Sequence, residues 1–201
     1  MKLLLTLLPV PALVGFAVSF SAPSDRPDTT AEAAGYTIDA THSSVLFKTN
    51  HGGVANFYGR FNGFQGEVTH DPAAPGKSSI RIVIDASSID TNSRDRDRHL
   101  RSNDFLSAQE FPEIVFESKK VEAEGDRLHV QGDLTFHGVT KEVSAGVEVV
   151  GTGTMRGAKV AGFEARFTID MGDFGVSYVA QNPGTLGPEV ELIVSLECRA
   201  E

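Results

Sequence analysis

The sequence predicts an all-β protein: a single antiparallel barrel of roughly eight strands, with a short helical lid segment near residues 93–106. Three observations carry that expectation. Apolar and polar residues alternate at period two along most of the chain beyond residue 36, which is how a strand with one buried face reads. Short turns rich in Gly, Asp and Pro separate the alternating runs, so successive strands should pair antiparallel. The chain has one cysteine, which excludes an intramolecular disulfide and leaves stability to the core and to closure of the sheet.

The first twenty-one residues read as a cleavable signal peptide. Lys2 supplies a positive start, Leu3 to Phe20 is mostly apolar, and Ser19 and Ser21 place small residues where a signal peptidase cuts. An uncleaved anchor is the competing reading, weakened by Pro9, Pro11 and Gly15. Residues 22–35 lack any large apolar side chain and read as a flexible linker. Residues 36–201, about 165 in all, suit one domain with one core. A net charge of −9 argues against a nucleic-acid partner, because neutralising phosphates needs a basic field.

The strands follow in order. Val45, Phe47, Thr49 and His51 alternate with Ser44, Leu46, Lys48 and Asn50 until Gly52-Gly53 breaks the run. One long strand is expected from about Phe57 to Val68, with a bulge at Gly63 absorbing a change of apolar parity between Phe61 and Phe64. Ile80, Ile82, Ile84 and Ala86 share a face, as do Ile114, Phe116 and Ser118. Leu128, Val130, Gly132, Leu134 and Phe136 give the cleanest alternation. Val143 to Val149, Phe163 to Ile169 and Val190 to Cys198 complete the set. About eight strands close into a barrel just wide enough to be filled by side chains or to hold one small ligand.

Between two of these strands lies a charged segment punctuated by Leu100, Phe105, Leu106 and Phe111. Arg94, Arg98 and Arg101 fall at i, i+4 and i+7, so a helix puts them on one face. Ser93 is a candidate N-cap, and Pro112 returns the chain to an extended form.

This segment also carries a resemblance. Ser88-Ile89-x-Thr91, Arg96-Asp97-x-His99-Leu100-x-Ser102-x-Asp104-Phe105 and Phe111-Pro112-x-Ile114-x-Phe116-x-Ser118 resemble the central signature of the YceI-like family. Tyr36-Thr37-Ile38-Asp39-x-x-His42-Ser43, the Gly132 to Lys141 stretch and Asp173-Phe174-Gly175 extend it from Tyr36 to about Cys198. The resemblance implies an extended lipocalin-like barrel outside the cytoplasm, periplasmic or secreted, that takes up polyisoprenoid or related lipid. Two departures stand out: Tyr36 where the family usually has Trp, and Met171 where it usually has Arg.

The apolar strand faces admit two readings, a solid core or an apolar tunnel, and the resemblance favours the tunnel. Candidate lining residues are Phe47, Phe61, Phe64, Ile82, Ile84, Phe105, Phe116, Leu134, Phe136, Phe167, Phe174 and Leu192. The arginines either pair with Asp95 and Asp97 on a solvated face or meet a polar headgroup at the barrel mouth. Headgroup candidates are therefore Arg94, Arg98 and Arg101, with His42 and His99 as polar tips at the lid. The six histidines have no metal-ligand spacing, no Ser-based nucleophile motif is present, and Cys198 lies on an apolar face. No enzyme activity, metal or cofactor is expected beyond a bound isoprenoid-type lipid or quinone.

The first functional reading is a carrier for a long-chain apolar lipid, touching membranes only transiently to load. The alternatives are a quinone-linked redox or stress-response protein, and a secreted barrel with a solid core and no ligand. Oligomeric state stays open, a homodimer included.

Overall fold

The computed structural model describes residues 33–200. The expected signal peptide, its cleavage site and most of the linker lie outside them. Within them, strands β1 (Ala34–Ile38), β2 (Ser44–His51), β3 (Ala55–Phe61), β4 (Phe64–His70), β5 (Ser79–Asp85) and the two-residue β6 (Ile89–Asp90) lead to helix α1 (Arg94–Arg101). Strands β7 (Glu113–Glu124), β8 (Arg127–Phe136), β9 (Val139–Met155) and β10 (Ala158–Asp170) follow. A one-turn helix α2 (Tyr178–Gln181) and the last strand β11 (Leu186–Arg199) complete the chain.

Every pairing is antiparallel, and the sheet closes on itself as a barrel of eight staves. Three staves are interrupted strands: β1/β2, β3/β4 and β5/β6. β3 pairs with β2 and β4 pairs with β5, so the run expected as one bulged strand is two strands meeting at a corner. The parity change between Phe61 and Phe64 is visible in the sequence, but at Asn62-Gly63 the pairing lapses on both sides at once, from β2 and β6 to β1 and β5, the other halves of the same two staves, which a bulge in one strand does not do. A methyl on Gly63 would sit 3.2 Å from the Cβ atoms of Asp85 and Ser88, so the corner packs tightly against the β5–β6 connection.

β1 and β2 are likewise two halves of one stave, each pairing with β11. The break between them is sealed locally. Asp39 N–H donates to Glu197 O at 2.9 Å, and Ser43 Oγ accepts from Glu197 N–H at 2.9 Å. A hydroxyl thus stands in for the backbone where the ladder lapses. β1 begins at Ala34, whose partner is His70, two residues before Tyr36. Small size at Ala34 and Gly35 does not prevent pairing, because a neighbouring strand supplies the hydrogen bonds.

The alternation of the sequence becomes the inside and outside of the barrel. Val45, Phe61, Ile82, Leu134, Phe163 and Leu196 are all buried inward. The β8–β9 turn, His137-Gly138, has φ of 51° and 73°, the paired positive values of a type I′ hairpin. Gly138 is required twice over, since a Cβ there would also meet the Phe111 ring at 2.4 Å.

A lidded apolar cavity as candidate functional site

The inward side chains do not fill the barrel. They leave a cavity of about 150 Å³ whose wall is drawn from every stave and from the lid. Apart from Thr49, each lining residue among those described is aliphatic, aromatic or Met. On this measure one water needs roughly 10–15 Å³ and two to four polar partners. The cavity has the room and lacks the partners, so its chemistry is to accept an apolar guest.

One end is covered by α1 and the turns that follow it. Leu100, Phe105 and Leu106 face the cavity, and Phe105 stacks on Tyr178 of α2 with ring centroids 4.4 Å apart. Ser93 occupies the N-cap position with extended backbone but makes no side-chain cap bond. The helix start is held instead by buried Asp97, which accepts hydrogen bonds from Thr91 N–H and Thr91 Oγ1. His137 ties the lid to the barrel rim: its Nδ1–H donates to Phe174 O at 3.1 Å, so its Nε2 accepts from Ser107 Oγ at 3.0 Å.

A YceI-like domain matches residues 36–198, nearly all of the barrel. The chain belongs to the YceI-like family. It is 40% identical over 170 residues to protein YceI of Escherichia coli O157:H7 and equally to a UPF0312 protein of Pseudomonas aeruginosa, covering 83% of this chain and 87% of each relative. The crystal structure of Burkholderia cenocepacia BcnA superposes with a TM-score of 0.72 at 24% identity, over 80% of this chain and 98% of that one. A polyisoprenoid-binding domain from Saccharophagus degradans, implicated in plant cell wall breakdown, gives 0.64 at 17% identity, over 84% and 99%. At these identities the two structures establish the shared fold.

In this YceI-like barrel, ten of the candidate lining residues do line the cavity: Phe47, Phe61, Ile82, Ile84, Phe105, Phe116, Leu134, Phe136, Phe167 and Leu192. Phe64 and Phe174 do not. Phe64 follows the β3–β4 corner and packs against the core instead. Phe174 is fully buried in the turn after β10, edge-on to Phe136 at 5.5 Å, and so supports the wall from behind. Cavity residues that were passed over include Phe163, Ile169, Val194 and Thr49, all on the same parity as neighbours already chosen. Met171, at the family's usual Arg position, is buried and adds a thioether to the wall.

The headgroup candidates are not brought together. Arg101 is turned into the fold: its Nε donates to Ser87 O at 2.7 Å and its Nη2 to Ile89 O at 2.9 Å. Arg98 pairs with Asp95 on the exposed helix face at 2.9 Å, and Arg94 is exposed. His99 bonds Asp104 at 3.0 Å and packs edge-on to Phe105 and Tyr178. His42 lies on the outer wall near the other end, bonded to Asp39 at 2.9 Å and 4.0 Å from outward-facing Glu197. Its distance from the lid follows from the stave break at 39–43, which only long-range pairing determines.

The ligand atoms of Asp39, His42 and Glu197 all lie within 4.8 Å of one another. An ion there would have to displace the Asp39–His42 hydrogen bond, which already holds the Asp39 carboxyl below its ordinary range. Cys198 is wholly buried, and burial, with Glu197 nearby, pushes its thiol up to about 12. It stays protonated and unreactive at neutral pH.

Proposed function

We propose that the protein is a non-enzymatic carrier that holds a polyisoprenoid or similar long-chain apolar lipid inside the barrel and works outside the cytoplasm. The observation that carries this reading is the cavity wall, apolar everywhere but at Thr49. Each methylene moved from water into such a space contributes roughly 0.8 kcal/mol, so a long hydrocarbon binds without directed polar contacts. The shared fold of the Saccharophagus polyisoprenoid-binding domain supports the same guest class. Export is supported by Lys2 and the apolar run Leu3 to Phe20. The guest's insolubility implies brief membrane contact for loading. The protonated, enclosed thiol of Cys198 supports binding rather than catalysis.

Native mass spectrometry of protein purified from its own cell envelope tests this. The expected result is an added mass, lost on denaturation, that fractionates as a long-chain apolar lipid. Phe167→Arg, which sets a charge against the guest, should lose that mass while keeping the β-sheet signal. A wild-type protein that carries no lipid and takes up no added polyisoprenoid would overturn the proposal.

A further inference from the structure

Among the described residues, the one hydroxyl lining the cavity, that of Thr49, sits at an interruption of the wall. β2 and β11 pair at His51–Leu186 and again at Thr49–Val190, so Gly187, Pro188 and Glu189 together stand opposite Asn50. Pro188 has no N–H to give to a ladder, so the pairing lapses over Gly187 to Glu189. Thr49 fills the interruption. Its side chain is buried on the cavity side, yet Oγ1 lies 3.4 Å from Glu189 O and 3.5 Å from Gly187 O, at the long limit of a hydrogen bond. That hydroxyl is free to take a better partner.

The outer side of the same interruption is a polar groove. Lys48, Asn50, Asn56, Thr168, Glu189 and Glu191 line it, and Thr49 is common to groove and cavity. Lys48 is already engaged by Glu191, which also raises its affinity for its proton. Arg166, which also acts on Glu191, is held by Glu164 at 3.0 Å. Lys48 and Arg166 thus face Glu164, Glu189 and Glu191, leaving the wall formally negative. Neutral donors and acceptors remain: the Asn56 amide, the Nδ2 of Asn50, whose Oδ1 accepts from Gly53 N–H at 2.7 Å, and the hydroxyls of Thr49 and Thr168.

We propose that the β2–β11 seam at Thr49 is the headgroup site, where the polar end of an amphiphilic guest leaves the cavity. The site selects a neutral hydrogen-bonding head, an alcohol or a carbonyl, over a phosphate. Thr49 meets the head from inside, Asn50 and Asn56 receive it outside, and Glu189 and Glu191 repel an anion. The inference rests on the lipid-binding reading above, and Arg101 and His99, the headgroup candidates of the sequence, are spoken for within the lid.

The test is titration of the purified protein with squalene, solanesol and solanesyl phosphate, followed by native mass spectrometry. Solanesol should bind more tightly than either of the others. Thr49→Val keeps the shape and removes the hydroxyl, so it should weaken solanesol by about fivefold and leave squalene unchanged. Glu189→Gln, at an exposed position, should narrow the preference for solanesol over its phosphate, and does so independently of whether the Thr49 variant folds. Equal binding of all three by wild type, or equal losses of solanesol and squalene in Thr49→Val, would overturn the seam and leave the apolar cavity standing. Failure of all three to bind would remove the lipid-binding reading and the seam with it.

Discussion

His70 shows what one residue does to the pH range of this barrel. Its ring points inward from β4, 5% exposed, edge-on to Phe163 at 5.4 Å, and its Nδ1 has no hydrogen-bond partner among the described residues. Burial pulls its pKa below the ordinary 6.5, against a weaker opposing pull from Asp71. The folded state therefore binds fewer protons than the unfolded state once the pH drops below about 6.5. Stability is retained above that value and falls as the medium acidifies. Urea unfolding at pH 7 and pH 5 should show this loss, and His70→Leu should flatten it. An unchanged acid slope in the variant would assign the loss to other groups.

At the scale of elements, the lid depends on a two-residue strand. Among the described residues β6 pairs with β3 alone, and Arg101 donates to the carbonyl of Ile89 in β6 and to that of Ser87 in the turn before it. Replacing Arg101 by Ala should cost about 1–3 kcal/mol, the usual worth of hydrogen bonds from a charged donor, and should speed guest exchange. Arg94→Ala should do neither. Melting curves and release kinetics of the two variants check this. The helix itself was legible, because its arginine spacing and the following Pro112 are local signals. The role of Arg101 was not, since it depends on which carbonyls the fold sets beside it. Arg96 makes the same point: it lies 4.3 Å above the Phe57 ring and donates to Thr91, contacts that only tertiary proximity creates.

For the whole molecule, period-two alternation was enough to foresee a closed barrel and nine of the cavity-lining residues, the tenth, Phe105, being an apolar punctuation of the charged lid segment. Parity along a strand survives folding unless the strand turns a corner. It failed at Phe64, which follows such a corner, and at Phe174, which belongs to a turn rather than a strand. It also could not tell a packed interior from a hollow one. Hollowness is a mismatch between stave count and side-chain volume, and small residues contribute to it: the Phe47 ring folds over Gly59, where a Cβ would lie 2.2 Å from its Cζ, instead of reaching across.

That hollowness has a mechanical consequence. Unfolding a protein with an internal void lets water occupy space that the native state leaves empty, so the system shrinks. Hydrostatic pressure therefore acts against the empty barrel more strongly than against one whose interior is occupied. Guest-free protein should unfold at distinctly lower pressure than lipid-loaded protein even where their thermal midpoints lie close together. Fluorescence of the three tyrosines, Tyr36, Tyr58 and Tyr178, under compression would register the difference. A barrel built this way is compliant when empty and stiff when full.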